Sequence, residues 1–345
     1  MVGAYPPLVN YLPNRVSFLS DTAPPPRNPK LQYCVEQYTG EQLAAGNDPS
    51  AAISAAQGLD LSVLPKKMAG DVKKAFDNAE TALPSLTAIF AAEDEVNKAA
   101  AEYRPLQREV RSIEKDIRKL ETKADDLQTT IGRMHGEAED KARLEARRDG
   151  FMSAAEALKA QIPDSWTEAH KAFATLTGAE QKARQTYRRQ ADQAWTAPAE
   201  VLAVLNANDA FDGLEGELRE LRGFIESVTE DDPVAEETVS ALEEKFNAVE
   251  GAGDVKSALG KARRALRVKK FDRDKALEAF DDAMSAFEEQ KAWRTAAAGL
   301  KPGLQAYLDG IKGTLGIRSQ NRLDRDQALY MASCSSVHRD ISLNF

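Results

Sequence analysis

Between Leu106 and Met134 apolar residues recur at alternating steps of four and three: Leu106, Val110, Ile113, Ile117, Leu120, Ala124, Leu127, Ile131 and Met134. A mean spacing of roughly 3.5 residues is the period of a coiled-coil seam, and it commits this stretch to a long helix with one gripping face. Val110, Ile117, Ala124 and Ile131 take the a positions, and Ile113, Leu120 and Leu127 take d. Branched residues at a with mainly Leu at d favour two strands. The flanks argue against a parallel copy of the same helix. In that arrangement Glu109 faces Glu114 and Asp116 faces Glu121, two like-charge pairs.

The seam ends at Gly132 and Gly136, and a second apolar pattern follows, with Leu144, Phe151, Ala155, Leu158 and Ile162 before Pro163. The second run has nearly the length of the first and brings Lys141, Arg147, Arg148 and Lys159 to or beside its seam. The preferred reading is an antiparallel coiled-coil hairpin over 105–162. The competing reading is one uninterrupted helix with a three-residue stammer.

Residues 1–50 differ from all that follows. Pro6, Pro7, Pro13, Pro24 to Pro26, Pro29 and Pro49 fix φ and remove backbone donors, which predicts an extended, proline-rich N-terminal arm without a core of its own. Tyr5, Tyr11, Phe18, Tyr33 and Tyr38 are spaced along it without helical period and are the candidate partner-binding residues. Residues 51–104 read as short helices: Val72, Phe76 and Leu83 share a face, Pro84 interrupts, and a further helix runs from Ser85 to Tyr103.

Residues 163–298 read as a helical bundle. Ser165 with Glu168 and Thr177 with Glu180 are capping boxes, predicting helices over Trp166 to Leu176 and Gly178 to Ala194, and Pro198 opens another. Asp232 before Pro233 marks a further start. Charge then polarises: thirteen acidic residues against three basic between Asp212 and Glu250, and eight basic against two acidic between Lys261 and Lys275. Gly251, Ala252 and Gly253 separate two runs with apolar helical spacing, so a second hairpin with one acidic and one basic arm is expected. A last long helix carries Leu277, Phe280, Met284 and Phe287 on one stripe. Residues 299–345 form a glycine-rich segment and a tail; glycines at this density serve either a close-packed backbone surface or a flexible link.

The fold class expected is therefore all-α, with elongated antiparallel helical hairpins behind the arm. A formal charge of −9 disfavours nucleic acid and anionic lipid for the chain as a whole. Cys34 and Cys334, at opposite ends, read as free thiols in a reducing compartment. No stretch has the length of a transmembrane helix, and the first twenty residues lack a signal-peptide pattern. The expected setting is intracellular, soluble or within a large particle.

Chemistry-bearing patterns are sparse. His135, His170 and His338 are far apart and none has metal-ligand spacing. The glycines of "GAGDVKSALG" follow a helical period, whereas a dinucleotide fingerprint follows a strand. No catalytic residue, cofactor or metal is assigned, and the chain is read as a non-enzyme. The expected function is a structural or scaffolding subunit of a larger assembly, such as a virion component or an accessory subunit, whose partners are other protein subunits or copies of itself. The alternative is a nucleic-acid-associated helical protein whose basic patch, Lys261, Arg263, Arg264, Arg267, Lys269 and Lys270, releases counterions from phosphates.

Overall fold

A computed structural model describes residues 18–20, 31–135, 138–230, 232, 234–320 and 322–334. Every regular element among them is helical: α1 (Gln32–Ala44), α2 (Ser50–Gln57), α3 (Lys66–Arg133), α4 (Ala138–Lys159), α5 (Trp166–Asn206), α6 (Asn208–Asp212), α7 (Glu215–Ser227), α8 (Ala235–Asn247), α9 (Gly253–Ala265), α10 (Arg273–Ala296), α11 (Lys301–Lys312) and α12 (Arg325–Ser333). The all-α expectation holds. The described residues divide into two compact units, one running up to Pro84 and resuming at Tyr187, the other Ser85–Thr186.

In the Ser85–Thr186 unit, burial follows the heptad. Val110, Ile117, Ala124 and Ile131 are all buried, whereas Ile113, Leu120 and Leu127 are half-covered. Contacts between α3 and α4 include Glu121 with Lys159 at 3.0 Å, the Arg148 guanidinium donating to Gln128 at 2.5 Å, and Lys123 over the Phe151 ring at 5.6 Å. Between α3 and α5, Tyr103 stacks on Phe173 with ring centroids 4.1 Å apart and on Trp166 at 5.8 Å. A short hydrogen bond of 2.7 Å joins the Tyr103 hydroxyl to His170 Nδ1. Further along, the buried Arg184 bridges Glu180 of its own helix and Glu93, at 2.7 Å, of α3.

Two proline expectations fail for physical reasons. Of the short helices expected over 51–104, α2 and a 3-10 turn at Leu61–Val63 are present, but the break at Pro84 is not: α3 runs through both Pro84 and Pro105. Proline deprives the carbonyl four residues earlier of its donor. Here both prolines, and both Glu80 and Ala101 whose carbonyls lose that donor, are exposed, where solvent can take the donor's place at little cost. Pro198 does not open a helix either, because it lies inside α5 and is buried. The carbonyl it leaves unpaired is that of Ala194, and the buried Tyr307 hydroxyl donates to it at 2.9 Å. The second capping box is likewise not a helix start. Thr177 lies within α5 and donates back to the Phe173 carbonyl at 3.1 Å, while Glu180 is spent on Arg184.

The arm expected to be extended to residue 50 is helical over Gln32–Ala44, with Cys34, Val35, Glu36 and Thr39 buried. Tyr5 and Tyr11 lie outside the described residues. The glycine-rich segment packs closely: a β-carbon on Gly303 of α11 would stand 2.6 Å from Leu59, and Gly310 meets Ala52 of α2 in the same way. The tail contains α12, started by a full capping box between Asp324 and Gln327.

Candidate functional site

The polarised stretch from residue 207 to 296 builds a four-helix bundle from α7, α8, α9 and α10. Its interior holds Phe211, Phe246 and Phe287, with Phe211 stacked on Phe287 at 4.6 Å and Phe246 edge-on to both. Ion pairs mark each seam. Lys291 pairs with Glu215 and Arg222 with Asp281 across α10 and α7; Lys245 meets Glu217 at 2.6 Å across α8 and α7. Arg263 meets Glu243 at 2.8 Å across α9 and α8, and Lys261 approaches Asp282 at 3.9 Å across α9 and α10. Packing is extensive at three seams, whereas α7 and α8 touch only sparsely. That sparse seam leaves a groove with Leu221, Phe224 and Leu242 along it and Glu217, Glu220 and Glu237 beside them.

The expected basic patch is divided by this geometry. Arg263 and Arg267 turn to the acidic arm, with Arg267 3.2 Å and Arg263 3.4 Å from Glu236. Lys261, Arg264 and Lys270 instead line a second groove with Phe271 and Lys275. Asp272, Glu278 and Asp282 share that groove, so its charge is mixed. Asp272 caps α10 by accepting from the Lys275 amide at 3.1 Å; a hydrogen bond from the Lys275 ammonium, first, and then the amide hold its carboxyl below the usual range. Lys269 sits in the 3-10 turn Val268–Lys270, with its side chain outside the described residues.

Of the candidate partner-binding aromatics, three engage the chain's own body. Phe18 is buried in a cluster with Leu31, Val35, Ile317, Leu323 and Met331. Tyr33 lies under the Arg188 guanidinium at 4.9 Å, and Tyr38 meets Tyr330 edge-on at 5.0 Å. The free-thiol expectation is overturned at the same place: Cys34 and Cys334 form a disulfide across 300 residues, with Cα atoms 6.0 Å apart. Only folding brings the two ends of the chain to that distance, and their separation in sequence hides it. Beside the bond, polar groups are buried together. Arg188 pairs with the fully buried Glu36 at 2.5 Å, and Arg318 with Asp192 at 3.2 Å. Burial drives the Tyr187 phenol far above its ordinary range, and a hydrogen bond with Thr39 opposes that shift.

Arg294 was not legible as special. It is 2 % exposed, stacks on Phe211 at 4.1 Å, and donates to the Val204 carbonyl at 3.0 Å and the Glu250 carbonyl at 2.7 Å. Burial lowers its pKa, with Asp212 partly opposing. The guanidinium ties α5 to the turn after α8, where Gly251 has φ +76° and a β-carbon would strike Val204. The glycines around residue 251 signalled a turn; nothing local signalled its cation.

Among the described residues no helix is long and apolar enough to cross a membrane, and no three metal-ligating side chains cluster. No protein family, curated protein or solved structure matches this chain.

Proposed function

We propose that the chain is a non-enzymatic structural subunit of a larger protein assembly. The observation that carries this reading is the series of contacts along α3. Glu93, Tyr103, Glu121 and Gln128 meet Arg184, Phe173, Lys159 and Arg148 in turn, so residue numbers rise on one side as they fall on the other. That order supports an antiparallel coiled-coil hairpin over 105–162. From Ser85 to Arg133, α3 rises about 70 Å at 1.5 Å per residue. A helix of this length, gripped along one row, spans distance and presents outward faces to neighbours. The proline-rich arm, through Tyr5 and Tyr11, is the second proposed contact. A particle assembled inside a cell and working outside it would acquire the disulfide on leaving the reducing interior.

The nucleic-acid alternative has less support, because Arg263 and Arg267 are occupied by Glu236 and Glu243. The test is native mass measurement of the full chain purified from its source. Recovery in a complex well above the 37.7 kDa of one chain, reduced by Tyr5→Ser with Tyr11→Ser, is expected. Recovery as a free monomer, or as a nuclease-sensitive complex, sinks the reading.

A further inference from the structure

The four-helix bundle carries two grooves on opposite sides, one whose charged lining is carboxylate alone and one that mixes four cations with three carboxylates. Each of its helices neighbours two others, as the ion pairs at the four seams record. The groove between α7 and α8 therefore shares no helix with the groove lined by α9 and α10. The first has an apolar floor at Phe224 and three carboxylates, Glu217, Glu220 and Glu237. Among the described residues Glu220 and Glu237 are exposed and have no cation partner. The second has Arg264 and Lys270, exposed and without a carboxylate partner among the described residues. Arg264 donates only to the Gly260 carbonyl behind it, at 2.9 Å.

Exposed apolar side chains fall at the same two places. Three large hydrophobics are exposed among the described residues, and two belong to this bundle: Val234, at 48 %, lines the acidic groove, and Val268, at 59 %, lies in the turn leading to Lys270 beside the basic one. The acidic groove thus joins an exposed apolar side chain to carboxylates alone, while the exposed Val268 is followed at Lys270 by the cationic part of the other groove, whose far part carries Glu278 and Asp282.

We propose that the acidic groove of one copy receives the Val268–Lys270 turn and Arg264 of a second copy. Because the two complementary surfaces lie on opposite sides, the contact is heterologous: each added copy leaves one of each surface open, so the chains grow head to tail. A groove and one turn fall short of the roughly 800 Å² per partner of a standard interface, so a single contact is weak and salt-sensitive. The inference goes beyond the structural reading above and does not depend on it, since a scaffold that contacts only other proteins would lack this self-association.

Sedimentation velocity of the full chain, oxidised and at low ionic strength, tests it. The wild type should form a concentration-dependent series of dimers, trimers and longer species below about 1 mM, lost at high salt. Val234→Ser with Glu220→Gln and Glu237→Gln should weaken association at least tenfold, and so should Val268→Ser with Arg264→Gln and Lys270→Gln. All six positions are exposed, and circular dichroism checks that both variants fold. Mixed together, the two variants should form a dimer and stop there, because only one intact surface of each remains. A wild type that stays monomeric, a series that stops at dimers, or a mixture no more associated than its components overturns the proposal. Association that requires added RNA also overturns it.

Discussion

The two units spend their residues differently. The Ser85–Thr186 unit is built along one row of α3, which meets α5 through an aromatic stack and a buried ion bridge and meets α4 where Ala155 is the one fully buried residue that α4 contributes. The other unit closes its core from many directions, with aromatic stacking inside the bundle, polar pairs beside α1, and a covalent bond from α1 to the residue that follows α12. A row can be written into a short stretch of sequence, because each residue needs only a neighbour three or four positions away. A core closed by distant segments cannot. The two units also fail differently: in a row each side chain answers for its own few turns, whereas a distributed core shares a loss.

The largest expected effect contrasts two buried guanidiniums. Arg184→Leu takes the bridging guanidinium from the buried Glu180 and from Glu93, and should cost about 3–5 kcal/mol by urea denaturation. Arg294→Leu leaves carbonyls rather than a charge and should cost about 1–3 kcal/mol. Equal losses would mean that both units treat buried charge alike. Reduction of the disulfide, or Cys34→Ser, should lower stability by about 2–4 kcal/mol. That loss should appear in protection of α1 and α12 amides and leave the seam residues of α3 unchanged; protection lost equally in both would erase the distinction between the units.

Within the row, Ile117→Ala should cost about 2–4 kcal/mol and the half-covered Ile113→Ala about half as much. Inverted values would place the gripping face elsewhere. Tyr307→Phe should cost about 1–2 kcal/mol because the Ala194 carbonyl loses its donor. Pro198→Ala in that background restores a backbone donor, so the double variant should recover part of the loss; strict additivity would break the account. The smallest effect is one of pH. Burial raises the Tyr187 and Tyr307 phenols above their unfolded value near pH 10, so stability contributed by keeping them neutral is complete below about pH 10 and is lost as pH rises further. Absorbance titration of tyrosine should show these two ionising only together with loss of helical signal.

Legibility follows the same division. The row was readable because Val110, Ile117, Ala124 and Ile131 are related by local spacing. The opposed charges of α8 and α9 were readable too, since the turn at Gly251 brings neighbouring segments together. Pro84 misled because its effect depends on which way the helix faces, and Pro198 because its remedy lies at Tyr307, 113 residues from Ala194. Thr177 and Glu180 matched a helix-start pattern while Arg184, one turn on, had the stronger claim on the carboxylate. The pairing of Cys34 with Cys334 was beyond any local signal.

That pairing also decides how the molecule bears load. Tension entering before Cys34 and leaving after Cys334 passes through one sulfur–sulfur bond and bypasses the 300 residues between. A chain pulled from before Cys34 and after Cys334 would transmit force as a covalent link, the helices between unloaded, until a reductant reached the bond. After reduction the same pull would act on every helix in series.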